Sequence, residues 1–320
     1  SHISEVLASL VRRGLVYLGV TAIALLVVWA AYAFQVAPAV ADGPALPMGT
    51  YWGGIAAVFR NVQGGRPSYL LGETRLEGWP TYFPIAFGVK TPLPVLLLLP
   101  FAALLPTYGR RRRTALFFLT PVAVYWAAAL AGELNLGYRH LLPTLPLLYT
   151  WAAQRLGRVR SGSRQRVGLA LLLWLAVDTA RIAPHVLAYV NPVGGGPEHG
   201  WRVIADSNID WGQDLKHLSA YLQDHPPEGP LWLSWFGSSY PERYGITEYL
   251  PLPGLPHHFD LWFEPAPFGE AQPEPGLYAI SVSNLVELPL MDKHFFGAFR
   301  AREPDVRIGY SIHLYYVPSD

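Results

Sequence analysis

The stretch "GLVYLGVTAIALLVVWAAYAF", Gly14 to Phe34, decides the class of fold. Its 21 residues include no charged side chain. At a rise of about 1.5 Å per residue, an α-helix of this length crosses the apolar core of a bilayer, which is about 30 Å thick. The stretch therefore predicts a transmembrane helix.

The composition of the whole chain agrees with a membrane protein. Of its 320 residues, 51% are hydrophobic and 15% are charged, with a mean hydropathy of +0.21. A soluble domain carries about 25% charged residues. A net charge of +1 provides no basic field for nucleic acid. Since cysteine is absent, a disulfide framework, a thiolate metal site and a cysteine nucleophile are excluded.

Four further apolar runs follow the first one, at Pro84–Tyr108, Thr114–Gly132, Leu134–Leu156 and Val167 to about Ala188. Arginine clusters precede the first run, separate the second from the third, and separate the fourth from the fifth. Short cytoplasmic loops are enriched in arginine and lysine, so all three clusters face the cytoplasm if all five runs cross. The pattern predicts about five spans.

Residues 190–320 read differently, as a small α/β domain. The segments "PLWLSWFG", "GLYAISVS" and "RIGYSIHLYYV" are typical of strands, and "DWGQDLKHLSAYLQDH" is typical of an amphipathic helix capped by Asp210 and Gln213. We predict a polytopic α-helical membrane protein followed by a small non-cytoplasmic α/β domain. The transmembrane module covers 1–189, with an exterior loop at 35–83, and the α/β domain covers 190–320.

The exterior loop and the start of the second run combine aromatic, acidic and basic side chains, namely Tyr69, Glu73, Trp79, Tyr82 and Lys90. Aromatic faces pack on sugar rings, and lysine or arginine neutralises phosphate oxygens. The set therefore suits a sugar and a phosphate at the membrane surface. An interfacial loop with an aromatic belt, beside a Lys90 that reaches toward water, is the alternative.

Tyr138, Arg139 and His140 open the fourth apolar run. An arginine in such a run is costly unless an anionic or aqueous group meets it. A cationic pocket for a lipid-linked phosphate is one interpretation. The other pairs Arg139 with a carboxylate such as Glu133.

The stretch "DSNIDWGQD" provides the exterior-domain candidates Asp206, Asp210, Trp211, Gln213 and Asp214. Its D-x-N-x-D spacing is similar to a calcium loop, but glycine comes at the seventh position and His217 stands where a bidentate glutamate is needed. Helix capping and turn formation explain these residues adequately. No metal ligand is assigned, and the cofactor requirement is left between none and a divalent metal.

Three motifs in order, "GWPTYFPIAFGVKTPLPVLLLL", "LNLGYRHLLPTLPLL" and "DSNIDWGQDLKHLSAYL", resemble the C-terminal half of bacterial membrane glycosyltransferases of the GT-C fold. These enzymes are relatives of the protein O-mannosyltransferases and of the lipid A aminoarabinose transferases. The resemblance covers the chain from about Gly14 to Tyr244.

The resemblance implies sugar transfer from a polyprenyl-phosphate donor on the non-cytoplasmic face of the bacterial inner membrane, in glycosylation of the cell envelope. An acceptor hydroxyl attacks the anomeric carbon, a carboxylate acts as general base, and cations stabilise the departing phosphate. Lys90, Arg139 and His140 would then serve the lipid phosphate. The exterior loop would shape the sugar or acceptor pocket.

One feature departs from that family. Its catalytic acidic residue normally lies in a first exterior loop, and nothing before Gly14 supplies one. We therefore expect this chain to be the C-terminal part of the enzyme and assign no catalytic residue. Glu73 and Asp42 are exterior carboxylates without a matching motif.

Two other classes of function compete with the transferase. A membrane-anchored module that binds a glycan or a partner would need Arg139 and Lys90 only for folding. A flippase is disfavoured, because the polar groups cluster at the outer ends of the runs. The sugar, the acceptor (protein, lipid or glycan) and the oligomeric state are left open.

Overall fold

The computed structural model describes residues 2–40, 43–63, 67–75, 77–105, 111–132, 134–157, 162–252, 273–286 and 295–319. The chain divides into two compact units, Ser1–Gly64 and Gly65–Asp320. The predicted boundary between 189 and 190 lies inside the second unit. It separates a mostly helical part from a part that contains a sheet.

The first unit consists of two helices and a short hairpin: α1 His2–Ala31, β1 Val36–Pro38, β2 Ala45–Pro47 and α2 Gly49–Gln63. The two strands pair antiparallel. The segment Leu7–Ala31 of α1 is long and apolar enough to cross a membrane, and none of its hydrophobic window is buried. Most of its apolar side chains are therefore exposed.

The helical part of the second unit contains α3 Tyr82–Lys90, α4 Leu93–Leu104, α5 Arg111–Ala131, α6 Leu145–Leu156 and α7 Ser163–Ile182. A 3₁₀ helix, Tyr138–Thr144, leads into α6. Helix α4 packs against α6 and α7, and α5 packs against α6. The hairpin of β3 Ser68–Leu70 and β4 Glu73–Arg75 precedes these helices.

Helices α3 and α4 meet at a bend of 106°. Thr91 adopts an extended backbone there because Pro92 follows it, and a proline disfavours the helical conformation of the preceding residue. The fully buried Asn191 satisfies the carbonyl groups that the bend releases. Its Nδ2 donates to Gly88 O at 2.6 Å and to Thr91 O at 2.8 Å.

Two described helices, α1 and α5, are long and apolar enough to cross a membrane, and the bent pair α3–α4 makes three if it counts as one span. Helix α6 has 12 residues, which cover only about 18 Å. Helix α7 has 20 residues, but the charged Asp178 and Arg181 interrupt its apolar run near the C-terminal end. All five predicted apolar runs form helices, and the number that cross stays a prediction.

In the described part of the second unit, the sheet has five strands: β5 Leu231–Ser234, β6 Leu250–Pro251, β7 Gly276–Ser281, β8 Val306–Ile308 and β9 Ile312–Val317. Their order is β6-β5-β7-β9-β8, with β5 parallel to β6 and β7 and the other pairs antiparallel. The remaining helices are α8 Gly196–His199, α9 Leu215–Asp224, α10 Val282–Leu285 and α11 Gly297–Arg300. Leu215 and Leu218 of α9 enter the core with the sheet.

Two local predictions in this part were wrong. The segment "RIGYSIHLYYV" is a hairpin of β8 and β9 rather than one strand, because the chain turns at Gly309 with a φ of +55°. Helix α9 begins at Leu215, so Asp210 is not its N-cap. The Asp210 carboxylate instead accepts hydrogen bonds from Gly212 N and Ser281 Oγ.

Candidate functional site

The second and third quoted motifs meet directly in the structure. Ser207 Oγ donates to Leu136 O at 2.9 Å, and Tyr138 N donates to Asn208 Oδ1 at 2.8 Å. Gly137 makes this approach feasible, since a Cβ there would lie 2.7 Å from Ser207 Oγ and its φ is +111°. The short turn Asp206–Asn208 therefore packs against the segment Leu136–Tyr138, which leads into the 3₁₀ helix before α6.

The buried Asn208 also connects the first motif to the other two. Its Nδ2 donates to the Tyr82 hydroxyl and to Ala205 O, both at 2.9 Å. With the bond from Tyr138 N, one amide side chain joins α3, the 3₁₀ helix before α6 and its own turn. Sequence reasoning quoted this asparagine but did not select it. Its place in "DSN", inside a recognised motif, was the available signal.

Lys90, the last residue of α3, crosses to the same region. Its Nζ donates to Leu187 O and to Asn208 O, each at 2.6 Å. Lys90 therefore holds the bend against the sheet-containing part.

A cavity of about 350 Å³ lies where these segments meet. Cationic and polar groups at its lining include Lys90, Tyr138, Arg139, Tyr189, Ser207 and Asn208. Apolar groups at its lining include Pro92, Leu142, Leu145, Ile182, Val186 and Leu187. Such a lining suits a ligand with one anionic end and one apolar end.

Arg139 is exposed at the lining of this cavity. Its guanidinium carbon lies 5.7 Å from the ring centre of Trp211, within cation–π range. Among the residues that the structure describes, no carboxylate pairs with Arg139. Glu133, the predicted partner, lies outside the described residues.

The two neighbours of Arg139 differ in position. Tyr138 lines the cavity, and its hydroxyl lies 2.9 Å from Thr91 Oγ1 at the bend. The His140 ring packs 6.5 Å from the ring of Phe83, and its buried Nε2 has no hydrogen-bond partner among the residues that the structure describes. The structure thus brings Lys90, Tyr138 and Arg139 together but turns His140 toward α3.

The exterior-loop candidates lie apart from the cavity lining. Tyr69 is buried in the core with the sheet, and its hydroxyl donates to Arg202 O at 3.2 Å. Glu73 pairs at 3.2 Å with Arg75, which stacks 3.6 Å over the ring of Trp79. Tyr82 is buried and accepts the hydrogen bond from Asn208. Asp42 lies outside the described residues.

The acidic stretch 206–214 does not close into a calcium loop. Asp210 and Asp214 are both buried but turn to different partners: Asp210 to Ser281, and Asp214 to Ser311 and the backbone around it. Asp206 adopts a φ of +60°, and its N–H donates to Ser283 Oγ. Gln213 bonds the local backbone of Ile209 and Trp211, and Trp211 is exposed.

The carboxyl group of Asp210 has a raised pKa. Burial raises its pKa to about 7, against the lowering effect of the hydrogen bonds from Ser281 and Gly212. The Asp214 carboxylate nearby raises it further. A carboxyl group that is neutral in mildly acidic solution fits an enclosed polar network better than a water-facing catalytic base.

Comparison of the chain with family models, with curated proteins and with solved structures finds no match. The class of site therefore rests on the residues alone: a cavity at the junction of a helical and a sheet-containing part, lined by two basic residues, several polar residues and six apolar ones.

Proposed function

We propose that this chain is part of a membrane glycosyltransferase that uses a polyprenyl-phosphate-linked sugar, and that the cavity beside Arg139 holds the phosphate end of that lipid. The observation that carries the proposal is the composition of the cavity. Lys90 and Arg139 line this cavity together with six apolar residues, Pro92, Leu142, Leu145, Ile182, Val186 and Leu187.

The basic and polar residues of the cavity lining offer the hydrogen-bond donors that a phosphate requires. Arg139 carries a guanidinium without a carboxylate partner in the described part of the chain, and it can bind phosphate oxygens in pairs. Lys90 and Tyr138 add an amine and a hydroxyl group at the same lining. Charge-assisted bonds of this kind are about twice as strong as neutral ones.

The apolar lining residues suit an isoprenoid chain. Leu142 belongs to the 3₁₀ helix before α6, Leu145 begins α6, and Ile182 ends α7. A prenyl chain gains about 0.8 kcal/mol for each CH₂ group that it buries. These helices would present the site to the bilayer if the chain crosses the inner membrane in several passes, as the arginine pattern predicts.

The exposed Trp211 ring beside Arg139 offers a flat apolar face next to the proposed phosphate. A sugar attached to that phosphate would lie within reach of this face. In the proposed transfer, an acceptor hydroxyl attacks the anomeric carbon and the phosphate leaves, stabilised by Arg139 and Lys90. No described carboxylate is assigned as the general base.

One observation favours a different function, an anchored module that binds a glycan or a partner without catalysis. Lys90 already donates to two backbone carbonyl groups, so the fold explains its presence without a ligand. In that case the cavity would have no need for a phosphate, and Arg139 would only stack on Trp211.

Polyprenyl-phosphate binding separates the two functions. Arg139→Gln is compared with Arg243→Gln, because Arg243 is also exposed and lies 5.6 Å over an aromatic ring, that of Tyr240, away from the cavity. The ligand is titrated into the purified chain in nanodiscs, with the matching polyprenol as a phosphate-free competitor. Loss of one charge-assisted contact should weaken binding by about 2 kcal/mol, or about 30-fold, in Arg139→Gln alone.

Equal affinity of wild type and Arg139→Gln, or equal binding of the polyprenol, would contradict the proposal and favour the anchored module. Lys90→Ala is a second variant, with folding followed by tryptophan fluorescence. Because Lys90 supports the fold, only a folded preparation of this variant is informative.

A further inference from the structure

Two histidines and one aspartate converge away from the cavity lining. His217 Nδ1 lies 2.9 Å from Asp214 Oδ1, and His185 Nδ1 lies 3.5 Å from the same oxygen. The two imidazole rings are 4.9 Å apart between centres. One ligand atom from each of the three residues can be chosen so that all lie within 4.8 Å of one another.

The shared carboxylate is held rigidly from its other side. Asp214 Oδ2 accepts hydrogen bonds from Tyr310 N and Ser311 N at 3.2 Å and from Ser311 Oγ at 2.8 Å. Gly309 allows this enclosure, since a Cβ there would lie 2.3 Å from the carboxylate and its φ is +55°. Oδ1 is left to face the histidines, and such outer hydrogen bonds orient metal ligands in known sites.

Two of the three ligand spacings are close to those of a tetrahedral metal centre. Metal–ligand distances of about 2.0–2.2 Å place neighbouring ligand atoms about 3.3 Å apart, and the Oδ1–Nδ1 distances bracket this value. Two imidazoles and one carboxylate favour zinc and its chemical neighbours, because magnesium and calcium prefer oxygen ligands throughout. His217 is 45% exposed, so a fourth position is open to water.

We propose that His185, Asp214 and His217 bind one divalent transition-metal ion of the zinc class. The ion would join two parts of the second unit, since His185 follows α7 while Asp214 and His217 belong to the start of α9. His185 also directly precedes Val186 and Leu187, which line the cavity. Metal binding therefore fixes the segment whose Leu187 carbonyl accepts the Lys90 hydrogen bond.

The test is zinc binding to the purified full chain, with no affinity tag of histidines and after removal of metal by a chelator. The variants are His217→Gln and His185→Gln. The control is His225→Gln, because His225 is an exposed histidine that follows the same helix and stacks on Tyr221, outside the cluster. The control matters because the chain contains 10 histidines.

Wild type and His225→Gln should bind one zinc ion per chain. His217→Gln and His185→Gln should lose at least about 100-fold in affinity, since loss of outer-shell partners alone costs about 10–100-fold. Cobalt(II) should give the visible absorption of a tetrahedral complex in wild type and His225→Gln only. The midpoint of thermal unfolding should rise with zinc in these two proteins and stay constant in the others.

Absence of stoichiometric zinc binding in wild type would overturn the proposal and leave a metal-free histidine–carboxylate cluster. Equal binding in wild type and His217→Gln would overturn it as well, because zinc would then occupy other histidines. His217 is exposed, so its replacement leaves the core intact. The experiment uses no lipid, and its outcome is independent of the proposed transferase function.

Discussion

The five-stranded sheet and helix α5 belong to the same compact unit, yet they direct their apolar side chains oppositely. Ile280 and Leu314 of the sheet are fully buried, and so is Phe296 beside it. Phe117 and Val124 of α5 are 72% and 64% exposed. Water drives apolar side chains inward, whereas a bilayer allows them to face outward. The difference is the one expected if α5 faces a bilayer while the sheet-containing part faces water.

The sheet-containing part and α5 also differ in where their polar groups lie. The sheet-containing part buries Asp210, Asp214 and Asn208, each with several hydrogen-bond partners. Buried polar groups stabilise one arrangement when all of them are bonded. Near its middle, α5 presents apolar and aromatic side chains outward, as a lipid-facing helix does.

The largest expected effect compares two phenylalanines. Phe296→Ala removes a fully buried ring and should lower the free energy of unfolding by about 3–5 kcal/mol. Phe117→Ala removes an exposed ring on α5 and should change the free energy of unfolding by about 0.5 kcal/mol or less. Thermal or denaturant unfolding of both variants in detergent, followed by tryptophan fluorescence, gives the values. Equal losses would mean that α5 packs against protein.

A charged residue introduced on the exposed face of α5 tests whether that face contacts lipid or water. Val124→Asp near the middle of α5 should raise the cost of membrane insertion by about 3 kcal/mol. Val193, which is 76% exposed and belongs to the connection before the sheet, is the matched position. Insertion is measured as the inserted fraction of chain synthesised with microsomes. Val193→Asp should leave that fraction unchanged, and an unchanged Val124→Asp would contradict a lipid-facing α5.

The pH dependence of stability tests the polar interior of the sheet-containing part. Burial raises the pKa of Asp210 from 3.8 to about 7, so the folded state keeps a proton that the unfolded state releases. Between about pH 4 and pH 7 this group therefore lowers stability as pH rises, by about 1.4 kcal/mol per pH unit.

Asp210→Asn should remove this slope and keep the bond from Gly212 N. The difference in unfolding free energy between pH 5 and pH 6 is measured for both proteins. The contributions of titrating groups that do not interact with Asp210 are common to both proteins and cancel. Parallel pH profiles would show that Asp210 is ionised in the folded state.

The smallest expected effect concerns the hairpin of β3 and β4. Leu71 and Gly72 form its two-residue loop with φ values of +52° and +92°, the region required by a type I′ turn. Leucine is strained there, and its side chain is exposed. Leu71→Asn creates the preferred Asn–Gly pair and should stabilise the fold by about 0.5–1 kcal/mol, read as a higher midpoint of thermal unfolding. Leu71→Val should instead lower the midpoint.

Periodicity and run length predicted much of this fold. The five apolar runs form helices, and the segments around Trp232, Tyr278 and Tyr315 form strands of one sheet. The bend between α3 and α4 was not predicted, although Pro92 and Pro94 mark it. Its angle depends on Asn191, which lies about 100 residues further along the chain.

The candidate site was predicted in part. Charge in an apolar context selected Lys90 and Arg139, and the structure places both at one cavity. Tyr69, Glu73 and His140 were selected for the same reason, their aromatic or charged side chains. They lie away from the cavity lining, because tertiary packing determines where each side chain points. The partners of Asn208 and the convergence of His185 with His217 depend on tertiary contacts, and a single sequence carries no signal for those distances.

Photocrosslinking tests the place of the lipid most directly. A polyprenyl-phosphate analogue with a photoreactive group in its first isoprene unit is irradiated with the chain in nanodiscs, and the labelled peptides are mapped. We expect labels at Leu142, Leu145 and Ile182, with competition by polyprenyl phosphate and loss in Arg139→Gln. Labels confined to the exposed faces of α1 or α5, or unchanged by Arg139→Gln, would contradict the assignment of this cavity to a lipid phosphate.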